Sequence, residues 1–328
     1  MGRGQSSLVA AGADRTQIEI VDAAELRPRP LTRRAAPPEV WGVDGGQGLV
    51  RDARCFSLWI TRAARTLFRD ARTVSEHEGP LRYHLLGVPY ARDAAVSAFE
   101  RLGLAAPADL GLEGAVHLLR DAGEWEMIAA TVEEAAPGAF VLVDGDLQPD
   151  WRIPSTFTAG LLARAAERAV TLVGVTKHSS LVRDGAPLVG QLELEAGREL
   201  GGRGLWWTPV GVIRHDLGPS GGEGTRAAAG HQVCVARLDS SAPFAFRVDL
   251  PAGRDPEEVL GALSAVCDDA AFPGYPYPLA VADRLAACPR WLCDEARSDL
   301  DGLLDRQQVP LEVRERAFAD RHSLMERA

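Results

Sequence analysis

"AFVLVDGDL", residues Ala139 to Leu147, is a run of apolar, strand-forming residues that stops abruptly at Asp144-Gly145-Asp146. Asp-Gly after an apolar strand is a favoured hairpin turn, so alone the stretch predicts only a buried strand and a turn. A second stretch, "EVWGVDGGQGLV" from Glu39 to Val50, repeats the layout: apolar residues, then Asp44, then glycines. If the strands ending at Asp44 and Asp144 lie side by side in one sheet, both carboxylates emerge at the same edge. A divalent cation could bridge them there.

Outward from these strands the order is mixed α/β. Residues to about 38 are polar and proline-rich, with one short apolar patch, "IEIV", and the basic stretch "RPRPLTRR" (Arg27 to Arg34), which reads as a solvated linker. The strand ending at Asp44, a glycine turn and "ARCFSLWITRA" predict a meander of antiparallel strands. A helical pattern covers about residues 93–135. After the "AFVLVD" strand come a helix at about 158–169 and the strand "AVTLVGVTK". Further strands are expected at "GLWWTPVGVIRH", "HQVCVARL" and "FAFRVDL". From about residue 256 the chain is helical, ending in a charged tail.

With 328 residues, of which 46% are hydrophobic, the chain can bury a sizeable core as one large domain or two ordinary ones. No apolar run approaches the roughly 20 residues of a membrane span, and the N-terminus lacks a signal-peptide core, so a cytoplasmic protein is expected. The five cysteines make no even-numbered disulfide framework and are expected to be free thiols. The seven histidines are scattered, so a metal site should be built from carboxylates, which favour magnesium or manganese. A net charge of -10 argues against nonspecific coating of nucleic acid. It leaves room for an enzyme that handles DNA in a local basic channel, and nearly all of the 36 basic residues are arginine.

A third carboxylate is expected from the helix before the second strand. In "GEWEMIAA", Glu124 and Glu126 lie two apart, and residues two apart do not share a helix face. Only one can point inward. Glu126 has Ala129 and Ala130 at the i+3 and i+4 positions, so its side is lined by small residues.

The order "GVDGG", acid-bearing helix, "VLVDGDL", "LVGVTKHSSL", "FRVDLP" and "GYPYPLAVADRLA" resembles the NurA nuclease family over about residues 38–290. The resemblance implies an RNase H-like α/β fold: a mixed sheet flanked by helices, with a C-terminal helical extension. It divides the chain into an N-terminal extension (1–37), a nuclease domain (38–290) and a C-terminal helical tail (291–328). It also implies a manganese- or magnesium-dependent DNA nuclease that acts as a single-strand endonuclease and five-prime to three-prime exonuclease. Such nucleases are homodimers served by a hexameric HerA-type ATPase, in end resection and repair or in phage defence.

Residue by residue, Asp44 and Asp144 match the metal-binding aspartates, and Glu126 best matches the helical glutamate, with Glu124 as its rival. Tyr275 matches the tyrosine of the C-terminal motif. Asp283 stands where that motif usually has histidine, which puts the metal preference in doubt. Lys177, at the end of "LVGVTK", is placed to contact a phosphate or to be a surface lysine. Asp146 reads as a turn residue. Two alternatives stay open: a NurA-like scaffold that binds an ATPase without cutting, and a haloacid-dehalogenase-like phosphatase. The latter shares the Asp-x-Asp of "VLVDGDL" but lacks the threonine expected after it.

Overall fold

The computed structural model describes residues 8–10, 18–20, 26–87, 90–108, 110–111, 114–202, 204–214 and 230–318. Parts of the N-terminal stretch and the end of the expected charged tail, 319–328, lie outside these. In chain order the strands are β1 (Leu8–Ala10), β2 (Ile18–Ile20), β3 (Arg29–Pro30), β4 (Val40–Asp52), β5 (Phe56–Arg69), β6 (Arg72–Glu78) and β7 (Arg82–Gly87). Helices α1 (Tyr90–Arg101) and α2 (Ala115–Glu134) follow, then β8 (Phe140–Asp144), α3 (Ser155–Glu167) and β9 (Thr171–Thr176). Short strands β10 (Leu181–Arg183) and β11 (Ala186–Pro187) precede α4 (Leu188–Glu199), β12 (Trp206–Arg214), β13 (Gly230–Arg237) and β14 (Phe246–Pro251). The chain closes with α5 (Pro256–Leu263), α6 (Tyr277–Ala286), α7 (Arg290–Arg306) and α8 (Leu311–Phe318).

Among the described residues the main sheet has eleven strands, with the path β2-β12-β13-β14-β9-β8-β4-β5-β6 and with β3 and β7 paired to β12 and β5. The centre is parallel: β4 with β8, and β8 with β9. Strands buried on both faces read as continuous apolar runs, which is why "FVLVD" and "TLVGVT" show no alternation. Leu142, Val173, Val248 and Leu260 sit in one core cluster with Leu279 of α6. Helix α5 begins at Asp255, whose side chain accepts a hydrogen bond from the Glu257 N–H, with Pro256 at the first helical position.

The chain forms two compact units. The first comprises Met1–Asp44, Ala64–His77 and Met127–Leu285; the second comprises Gly45–Ala63, Glu78–Glu126 and Ala286–Ala328. The core of the second gathers Val50, Ile60, Leu292 and Ala296.

Two local expectations are corrected. The expected strand end and glycine turn after Asp44 do not occur, because β4 continues to Asp52. Its glycines serve close packing instead: a Cβ at Gly46 would stand 2.0 Å from the Ala286 carbonyl oxygen. The basic stretch read as a solvated linker is docked. Its β3 pairs with β12, Leu31 lies in the core, the Arg29 guanidinium covers the Trp207 ring, and Arg33 pairs with Asp239 at 2.6 Å. All five cysteines are free, and no helix among the described residues is long and apolar enough to cross a membrane.

Candidate metal centre

The parallel register of β4 and β8 sets Val40 opposite Phe140 and Val43 opposite Val143. One further step brings Asp44 and Asp144 to neighbouring positions at the same edge. The third acid comes from α6. A Cβ at Gly42 would lie 2.3 Å from the Pro278 carbonyl oxygen, so α6 starts directly against β4 and carries Asp283 in from there. One carboxylate oxygen from each of Asp44, Asp144 and Asp283 lies within 4.8 Å of the others. Asp44 is 7% exposed while the Asp283 side chain is 54% exposed, so the group runs from the interior to solvent.

Lys177 follows the end of β9 and reaches across the group. Its Nζ lies 2.6 Å from Asp144 and 2.9 Å from Asp283, and 4.9 Å from the centre of the Tyr275 ring. Burial opposes its charge, but the hydrogen bond and charge of Asp144, then those of Asp283, outweigh it, so its pKa lies above the usual lysine value. One ammonium against these two carboxylates leaves the three side chains with a net negative charge. Lys177 is also the sole lysine in the sequence. In a chain that otherwise uses arginine everywhere, that was the legible signal for it, and a strand-end position alone did not carry it.

Tyr275 is buried beneath, packed on Phe246 at 5.5 Å between ring centres. Burial first, then the charge of Asp144 and a hydrogen bond to it, then the charges of Asp44 and Asp283, push its phenol well above the ordinary value, so it stays protonated. Three hard carboxylates with a buried hydroxyl beside them form a donor set that fits a magnesium- or manganese-like cation.

The two helical glutamates differ. Glu126 is gripped by two guanidiniums, Arg82 at 2.9 Å and Arg101 at 3.1 Å. Glu124 is 3% exposed, has Arg120 at 3.5 Å, and lies with Oε2 2.9 Å from where a Cβ on Gly45 would be. Neither belongs to the three-aspartate group. Asp146 sits in the turn after β8, paired with Arg247 at 3.0 Å.

No protein-family model matches the sequence, and no curated protein matches it. Solved structures do. The fold and the acids on its central strands define an RNase H-like α/β protein with a mixed sheet flanked by helices. The NurA nuclease from Sulfolobus solfataricus is similar to it with a TM-score of 0.54 and 14% identity, over 85% of this chain and 88% of that one. Human ENDOV gives a TM-score of 0.41 and 15% identity, over 86% of this chain and 93% of that one. What is shared with the Sulfolobus protein is the fold, as the sequence motifs led one to expect.

Proposed function

We propose that the protein is a metal-dependent DNA nuclease. The observation that carries this reading is the convergence of Asp44, Asp144 and Asp283, from two parallel strands and a helix, around the chain's sole lysine. A divalent cation held by these aspartates would supply an activated water and charge stabilisation for phosphodiester hydrolysis.

The chain's own groups do the rest. Asp44 and Asp144 fix the donor geometry from rigid strands, and Asp283 completes it from the solvent side. Lys177 turns its ammonium toward a non-bridging phosphate oxygen, and the protonated Tyr275 hydroxyl donates a hydrogen bond within the site. Water adds to phosphorus, the P–O bond to the departing nucleotide breaks, and that oxygen leaves with a proton. The ion pairs of Glu126 with Arg82 and Arg101 argue against its expected part as a ligand.

We extend the reading to a manganese preference, a homodimer with the domain limits given above, and a HerA-type ATPase that drives DNA to it in the cytoplasm for five-prime to three-prime resection or phage defence. The net charge of -10 supports a motor, because unaided capture of DNA by an acidic protein is weak.

The test is cleavage of end-labelled single-stranded and duplex DNA by the purified protein with manganese, magnesium or EDTA. Cleavage with manganese that EDTA stops is expected. Turnover of a small phosphomonoester in place of DNA would assign the site to a phosphatase, and inertness toward both would leave a scaffold.

A further inference from the structure

The motif "FRVDLP" contains two charged residues, Arg247 and Asp249, inside a central strand and outside the three-aspartate group. Arg247 and Asp249 lie two apart on β14 and so face the same side of the sheet. Both are buried, Asp249 completely. Arg247 donates Nε to Oδ1 and Nη2 to Oδ2 of Asp249, each at 2.8 Å. His231 of β13, also fully buried, places Nε2 3.1 Å from Asp249 Oδ2. Desolvation would raise the Asp249 pKa, but Arg247 and His231 outweigh it and hold the carboxylate well below the usual range.

Buried charges persist only where paired, and this group spends its remaining capacity on the segment after β8. The Leu147 N–H donates to Asp249 Oδ2 at 3.1 Å, and Arg247 Nη1 reaches Asp146 at 3.0 Å. The turn can come this close because Gly174 stands directly opposite Asp249 in the β9–β14 pairing. A Cβ on Gly174 would lie 2.7 Å from the Gly145 carbonyl oxygen and 3.1 Å from the Leu147 nitrogen. The turn is thus seated over a missing side chain and tied down by two charged groups from the next strand.

We propose that Arg247 and Asp249 are positioning residues, which hold the Asp144 carboxylate in register by clamping the turn that follows it through Asp146 and the Leu147 amide. Groups that orient metal ligands from behind commonly change metal affinity by about ten- to a hundredfold when altered. This rests on the metal-centre reading for its consequence, though the clamp itself does not.

Asp249→Ala would leave Arg247 buried without its partner and endanger folding. The informative variant is therefore Asp146→Asn, which keeps the shape of a turn residue whose side chain is 31% exposed and removes its charge. Calorimetric titration of the full chain with manganese should show about tenfold weaker binding, with an unchanged thermal midpoint. Amide hydrogen exchange at residues 145–147 should speed up in the same variant. An unchanged manganese affinity with a lowered midpoint would mean that the cluster is merely structural, and unchanged exchange at 145–147 would remove the clamp. If the wild-type chain neither binds manganese nor cuts DNA, the nuclease reading fails, and the exchange measurement still decides whether the turn is clamped.

Discussion

In the first compact unit two aspartates, Asp144 and Asp283, share one ammonium; in the second, one glutamate, Glu126, takes two guanidiniums. The acids are chemically alike and all were candidates in the sequence. What separates them is the ratio of charges at contact. An excess of carboxylate oxygen attracts a divalent cation, whereas a carboxylate outnumbered by arginines offers it a net positive neighbourhood. Neighbouring groups follow: Lys177 is held more strongly charged by its aspartates, and His84 is held neutral, first by burial and then by the charges of Arg101 and Arg82.

The strongest way to break this comparison is to neutralise the acidic side. Asp44→Asn and Asp144→Asn should each lower manganese-dependent DNA cleavage on the order of a thousandfold, while circular dichroism and thermal midpoint stay close to wild type. Wild-type cleavage by either variant at saturating metal would remove that residue from the site.

On the basic side the largest effect is on stability. Burial, followed by the charges of Arg101 and Arg82, lowers the His84 pKa to about 4. With a folded value below the unfolded value of about 6.5, the unfolded chain binds the extra proton, so stability falls as pH drops from about 6.5 and levels off below about 4. The loss approaches roughly 3 kcal/mol. Urea unfolding at pH 7 and pH 4.5 should show it, and a His84→Gln chain should show a smaller difference. An equal pH dependence in both would place the acid sensitivity elsewhere.

Asp283 comes next, being the most exposed of the three aspartates. Asp283→Ala should cost about thirtyfold in cleavage, and Asp283→His should restore part of it in manganese more than in magnesium, since imidazole suits the softer ion. Full activity of the alanine variant would end its assignment as a ligand. Lys177→Arg belongs to the same arm. A planar guanidinium cannot copy an ammonium bonded to two carboxylates at 2.6 and 2.9 Å, and a loss of about tenfold is expected.

The smallest effect sharpens the comparison. Glu126→Gln should leave cleavage within about threefold of wild type, because its charge is already spent on two arginines. A much larger loss would restore Glu126 to its expected part as a ligand.

Much of this architecture was legible because it is local. An apolar run that ends in Asp144, a second that carries Asp44, and "YPYPLAVAD" as a helix with Asp283 two turns inside are periodic signals confined to a few residues. Three features were decided by tertiary structure alone. Nothing near "GVDGG" says that β4 runs on through its glycines, since the Ala286 backbone they accommodate lies far along the chain. The basic stretch at Arg27 to Arg34 looks solvated until β12 and Trp207 are there to receive it. The pairings of Lys177 with Asp283 and of Leu147 with Asp249 join residues 106 and 102 positions apart. By itself, then, the sequence determined which segments are buried strands and where their acids stand, because burial and backbone periodicity act over a single element. Which cation each acid meets was decided by the fold, because Coulomb and hydrogen-bond partners are chosen by distance in space.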